Sequence, residues 1–279
     1  MIDEAASLID STTVRLKRCR HGMMMYPLRD PHVGPSLDRY GEYGEAEVRL
    51  IDQLVEPGST AVEVGAHIGA LTVPLARRVG PHGRLVALEP QRILFHMLCG
   101  NLALNQLAQV DARQAAAGRR VGTVRVPPTD YIRGASANMT PLLARDGGEA
   151  VALVTIDSLE LPVCHFLKIN ADGMESDVIA GAEETIYRDR PFLYVENERP
   201  AQSAALIRRI LDLEYRLYWY LSPLFSADNF FAETRNVFER VVSVNMLGIP
   251  SERPQTVTGG REVTGPNDRW DAPAPGADT

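Results

Sequence analysis

The sequence predicts an α/β fold: a mostly parallel central sheet with helices on both faces. Three observations point to it. Between residues 61 and 213, short apolar runs of strand length alternate with longer segments of helical periodicity, the pattern of a parallel sheet covered on both sides. The first of these runs passes straight into a glycine turn and then a helix. The composition, 45% hydrophobic and 23% charged over 279 residues, is that of a globular chain with a sizeable core.

The elements follow in order. Residues 1–41 read as a lead-in with a turn-rich stretch around Asp30-Pro31. Gly44 to Val55 places Val48, Leu50-Ile51 and Leu54-Val55 at helical spacing, and Pro57-Gly58 stops the helix. Ala61–Val64 is the first strand, Leu71–Arg78 its helix, Arg84–Leu88 the second strand and Gln91–Leu104 the second helix. Val110–Ala116 reads as a third strand. Residues 119–149, rich in Gly, Pro and Asn, are expected as hairpins or loops inserted before the next parallel strand, Leu167–Asn170. One helix over Glu175–Arg188, a strand at Phe192–Glu196 and a helix at Ala201–Leu213 follow. Tyr215–Leu221 and Arg240–Met246 are expected as a closing antiparallel pair. Residues 251–279, dominated by Pro, Gly and charge, read as a disordered tail. The expected organisation is therefore a lead-in and possible lid over 1–55, a main domain over 56–250 and the tail.

Composition also narrows function. A net charge of −7 provides no basic field for nucleic acid or anionic lipid. No apolar run reaches the roughly 20 residues that span a bilayer, and Met1–Asp10 does not read as a secretion signal. Cys19, Cys99 and Cys164 are odd in number and lie outside any CxxC or Cys/His cluster. Buried thiols in a reducing cytoplasm are the simplest expectation. Lys17 and Lys168 are the only lysines among 29 basic residues, which we read as codon bias.

The chemistry is concentrated in Glu63-Val-Gly65-Ala66-His67-Ile-Gly69, where an apolar strand enters the turn. Glycine there permits positive φ and close approach of a ligand to the backbone. The following helix N-terminus favours an anionic group. The Glu-x-Gly-x-x-x-Gly spacing is not the Gly-x-Gly-x-x-Gly of dinucleotide sites, and His67 stands where a pyrophosphate would need a glycine. Glu89, followed by Pro90 and Gln91, ends the next strand about 20 residues beyond Gly69, where an acid accepts hydrogen bonds from ribose hydroxyls. Taken alone, the glycine pair is also compatible with an ordinary βα turn, and Glu89 with a solvated loop acid.

In combination with further stretches, the chain resembles the FkbM family of class I methyltransferases. The matching residues are Tyr40-Gly-Glu-Tyr43 with Glu45, VEVGAHIGALTVPLA from Val62, ALEPQ from Ala87, and Asn101-Leu-Ala-Leu-Asn105. They continue with Thr155-Ile-Asp157-Ser-Leu159, Lys168-Ile-Asn170-Ala-Asp172-Gly173-Met-Glu175, Arg190-Pro191, Tyr194-Val-Glu196 and Tyr215-Arg-Leu-Tyr-Trp219. The similarity spans roughly residues 25–250. It implies a Rossmann-like fold and O-methylation of a small-molecule hydroxyl, on a sugar or secondary metabolite, with S-adenosylmethionine as methyl donor. The implied cofactor set is Glu63, Gly65, Ala66, His67, Gly69, Glu89, Pro90, Gln91, Asn105 and Ala116, with Tyr40 and Glu45 folding over it. No metal is expected. Self-association into a homo-oligomer is left open.

Two departures bear on mechanism. The family usually has Asn where His67 stands, so His67 either donates a hydrogen bond to the cofactor carboxylate or caps the turn. Asn170 replaces a carboxylate of the family's Lys-Ile-Asp-Val-Glu-Gly, and an amide orients a hydroxyl but takes no proton. Candidate bases are then Asp172, Glu175 and His165, in that order, with His165 mainly structural. Asp172 and Glu175 are also compatible with acids favoured by a helix N-terminus. Trp219, Tyr218, Phe230 and Asn229 are candidate acceptor contacts, with strand and core packing as the alternative. Two other functions compete: a cofactor-binding protein without catalysis, favoured by Asn170, and a nicotinamide-dependent enzyme, disfavoured by the glycine spacing and the absence of a Tyr-x-x-x-Lys pair.

Overall fold

A computed structural model describes residues 8–127, 147–255, 257 and 260–271. Its centre is an eight-stranded sheet. Strands β4 (Thr60–Val64), β5 (Arg84–Leu88), β6 (Val110–Arg113), β10 (Phe166–Ile169) and β11 (Phe192–Glu196) run parallel. The antiparallel strands β12 (Tyr215–Pro223), β13 (Val242–Pro250) and β14 (Arg261–Glu262) extend one side, giving the order β14-β12-β13-β11-β10-β4-β5-β6. From β4 the chain winds outward to β5 and β6, then returns to β10 on the other side of β4. Such a reversal opens a crevice at the strands' carboxyl ends, where α/β sheets bind ligands.

All five residues of β4 are buried, because both of its faces are covered. Alternate residues serve opposite sides. Val62 and Val64 join Leu167, Ile169, Leu193 and Val195 against α5 (Glu175–Ala180), α6 (Glu183–Asp189) and α7 (Pro200–Asp212). Ala61 joins Leu85, Ala87 and Phe166 against α2 (Glu45–Leu54), α3 (Thr72–Val79) and α4 (Arg92–Leu104).

The lead-in is more ordered than its turn-rich sequence suggests. It forms an antiparallel sheet of β1 (Ile9–Asp10), β2 (Val14–Cys19) and β3 (Gly22–Pro27), followed by α1 (Val33–Tyr40). Two asparagines one helical turn apart, in the last turn of α4 and at its C-cap, hold β3 through its backbone. Asn101 accepts the Met25 N–H at 2.7 Å and donates to the Met25 carbonyl at 2.9 Å. Asn105 does the same for Met23 at 3.0 and 2.7 Å. Asn105, expected among the cofactor contacts, is therefore a structural clasp.

Three further expectations change. The third strand breaks at Gln114: its second part, β7 (Ala115–Ala117), pairs with β9 (Glu149–Val154) beside β8 (Gly122–Val126) in a separate three-stranded sheet. The inserted loops expected over 119–149 thus include β8, and residues 128–146 lie outside the described residues. The single helix over 175–188 divides into α5 and α6 at Gly181, where a Cβ would come within 2.1 Å of the Gly118 carbonyl oxygen. Part of the tail is ordered, because β14 pairs with the edge of β12 and Asp268 accepts from the Thr264 N–H and the Arg261 guanidinium. Composition does not report such edge pairing. Among the described residues no helix is long and apolar enough to cross a membrane.

Candidate active site

A cleft opens at the carboxyl ends of β4, β5 and β10. Residues 64–67 with Ala70 and Leu71 form one wall. Gly65 has φ +77°, and a Cβ there would lie 1.8 Å from the Asn170 carbonyl oxygen. Only glycine allows the β4 and β10 loops to approach this closely. Gly69, at φ +87° and outside the cleft lining, would bring a Cβ within 2.8 Å of the Leu98 side chain.

The two strand-end acids are held differently. Glu63 is 1% exposed: one oxygen accepts from the Thr72 hydroxyl at 2.6 Å and the other lies 3.1 Å from Lys168 Nζ on the adjacent strand. Burial works against the Lys168 charge, but Glu63 and Glu47 more than offset it and hold the ammonium above its usual range. Glu89 accepts the His67 and Gln91 backbone N–H groups, both at 2.8 Å. Its burial pushes the carboxyl up to about 7, against the lowering effect of His67 and those two amides.

Of the predicted site residues, Ala66, His67, Pro90, Gln91, Ala116, Asn170 and Asp172 also line the cleft. Asp172 has φ +49° and lies on the rim, with Arg199 at 3.9 Å. Burial raises its carboxyl to about 6, with Arg199 opposing. Apolar surface comes from Ala70, Leu71, Leu94 and Ala117.

The remaining predicted site residues lie elsewhere. Glu175 turns back to accept the Ala171 and Gly173 N–H groups at 3.1 and 3.0 Å, shaping the loop that carries Asp172. Tyr40 is fully buried against Phe225 and Phe238, and its hydroxyl bridges Arg235 and Val237. Glu45 pairs with His21 at 2.9 Å outside the cleft. Trp219 is a core residue packed with Val244 and Val263. Tyr218 packs on the opposite face of the sheet, its hydroxyl accepting from Arg216 at 3.1 Å. Asn229 closes its own loop onto Ser226 and Glu233, and Phe230 packs on Phe231 while its N–H donates to Glu42. None of these four candidate acceptor contacts is among the residues that line the cleft. His165 accepts the Thr60 N–H through Nδ1 at 3.0 Å, at the far end of the sheet.

Several cleft residues stand outside the predicted cofactor and acceptor sets: Val33, Tyr43 and Glu47 from the lead-in and α2, Lys168 from β10, and Ser243 and Asn245 from β13. Two of them left a trace. Lys168 is a rare lysine inside the apolar run Phe166-Leu-Lys-Ile169, and Glu47 lies one turn from Ile51 on the buried face of its helix. Burial raises the Glu47 carboxyl to about 7 although Lys168 and Tyr194 lower it.

The sequence profile of the methyltransferase FkbM domain matches residues 63–218, from the first strand-end acid to β12. The chain belongs to the FkbM methyltransferase family. Its fold is the Rossmann-like class I methyltransferase fold. Among solved structures, a methyltransferase FkbM from Methylobacillus flagellatus KT is 17% identical with a TM-score of 0.47, covering 73% of this chain and 50% of that one. This chain thus spans half the length of that relative. A SAM-dependent O-methyltransferase from Thermotoga maritima is 14% identical with a TM-score of 0.45, covering 91% and 89%. A precorrin-6y C5,15-methyltransferase from Geobacter metallireducens GS-15 is 12% identical with a TM-score of 0.46, covering 74% and 86%. No curated protein matches the sequence significantly.

Proposed function

We propose that this methyltransferase uses S-adenosylmethionine to methylate a hydroxyl group of a small molecule, a sugar or secondary metabolite, in the cytoplasm. The observation that carries the reading is the pair of buried acids, Glu63 and Glu89, ending adjacent strands on either side of a positive-φ glycine turn. The cleft fits the cofactor chemically. Glu89 keeps acceptor capacity for ribose hydroxyls beyond its two amide donors. Both ring nitrogens of His67 are buried without a hydrogen-bond partner, and Nδ1 is a donor suited to a carboxylate. Leu94, Ala116 and Ala117 offer an apolar surface to the base.

When bound, the cofactor supplies an electrophilic sulfonium methyl. The protein's task is then positioning and proton removal. Asn170 orients the acceptor hydroxyl, and Asp172 accepts its proton, a role that suits a carboxyl raised to about 6. Glu175 holds the loop on which Asp172 sits.

Calorimetric titration with S-adenosylmethionine and, separately, NAD tests the cofactor. Micromolar binding of the first with no heat from the second is expected, and the reverse refutes the reading. Methyl incorporation from labelled cofactor into a panel of hydroxylated metabolites tests the reaction, and incorporation only at nitrogen or carbon would refute O-transfer. Asp172→Asn should lower turnover at least tenfold with little change in cofactor affinity. An equal loss in both would move Asp172 to the cofactor side.

A further inference from the structure

Asp30 belongs to the lead-in, 37 positions before His67 in the chain, and no sequence motif includes it. Its side chain is 3% exposed. One oxygen, Oδ1, accepts the backbone N–H groups of His32, Val33 and Gly34 at 2.9, 2.5 and 3.3 Å, capping the first turn of α1. The other, Oδ2, faces the glycine turn at ion-pair distance, 3.4 Å from His67 Nε2, without hydrogen-bond geometry. Burial raises the Asp30 carboxyl, but His67 and the amides outweigh it and hold the group at about 2.

His67 is itself constrained. Its φ of +53° is uncommon for a residue with a Cβ. Its backbone N–H is committed to Glu89. Three acids face the ring: Asp30 from the lead-in, Glu89 from the end of β5 and Asp172 from the loop after β10. Burial disfavours the imidazolium, yet these acids, Asp30 foremost, raise the ring above its usual range.

We infer that Asp30 is a positioning residue: its carboxylate pairs with Nε2 and holds His67 as an imidazolium, leaving Nδ1–H as donor to the carboxylate of the cofactor. This rests on S-adenosylmethionine being that cofactor. The same carboxylate seats α1, so cofactor recognition and the placement of the lead-in share one anchor. A neutral histidine could keep its proton on the Asp30 side and would then offer Nδ1 only as an acceptor.

The experiment is calorimetric titration with S-adenosylmethionine and with its decarboxylated analogue from pH 6 to 9. For the wild-type protein, affinity for the first should fall on the alkaline side as His67 loses its proton. Ionisation of Glu89 and Asp172 has the opposite sign and forms a separate acid limb. Asp30→Asn keeps an oxygen to cap α1 but removes the charge. It should shift the alkaline limb to lower pH and weaken binding at pH 7.5 about tenfold, about 1.4 kcal/mol, while binding of the decarboxylated analogue stays unchanged. In a His67→Asn background, Asp30→Asn should have no further effect.

Equal losses in both backgrounds, or for both ligands, would overturn the inference and leave Asp30 a helix cap. Should Asp30→Asn fail to fold, His67→Asn alone decides: persistence of the alkaline limb overturns the inference, and its loss supports it. Absence of wild-type binding would instead refute the cofactor reading itself.

Discussion

Replacing Glu63 by Gln should cost stability well before any question of catalysis arises. The carboxylate is 1% exposed and lies 3.1 Å from an ammonium that is itself 5% exposed. The two residues are register partners on neighbouring parallel strands. Glutamine preserves the shape and a hydrogen-bond acceptor for Thr72, so the perturbation is almost purely the lost charge. Removing one partner of a buried pair costs about 3–5 kcal/mol, because the other charge is left uncompensated. Here Glu47 shares the same end of the cleft and ionises to support Lys168, which puts the expected loss near the lower end, about 3 kcal/mol.

The assay is urea unfolding at pH 7.5 without cofactor, comparing midpoints at constant slope. Lys168→Met, which strands Glu63 instead, should also destabilise. The double variant should recover much of the loss, with a coupling energy of about 2 kcal/mol or more. The Glu63→Gln penalty should be larger at pH 6, where Glu47 holds its proton, than at pH 8. Single variants that each cost under about 0.5 kcal/mol and add independently would refute the argument, since distant unlinked sites behave that way.

Two other changes test the cleft. Gly65→Ala requires a left-handed alanine, at about 1–2 kcal/mol, and forces the Asn170 carbonyl away. Circular dichroism should show a retained fold, while titration shows at least a tenfold loss of cofactor affinity; unchanged affinity would mean that the turn tolerates a side chain. Glu89 is raised from its ordinary 4.5 to about 7 by burial, so the folded state holds a proton that the unfolded state has released. Its contribution to stability without ligand should therefore decline as pH rises from about 4.5 to about 7. Glu89→Gln should flatten that decline in a thermal-melt series and weaken the cofactor at least tenfold at pH 8.

Much of this protein was legible in one dimension because its information is local. The apolar runs at 61–64, 84–88, 167–170 and 192–196, and the helices between them, follow from periodicity. The glycine turn and the acids at 63 and 89 lie within consecutive βα units, so sequence spacing alone places Gly65, His67 and Glu89 around one crevice. Family resemblance added the reaction class.

Only the tertiary structure separated site residues from scaffold. Asn105 and Glu175 sit in matching motifs, yet their side chains are engaged by backbone groups of Met23 and of Ala171 and Gly173. Trp219 and Tyr218 face opposite sides of a sheet whose both faces are covered, so neither aromatic meets the cleft. Conversely, Val33, Glu47, Ser243 and Asn245 come from segments far apart in the chain. They meet the crevice because α1, α2 and β13 pack against its mouth. A local pattern records which element a residue belongs to; which neighbour its polar atoms meet is decided when distant elements pack together.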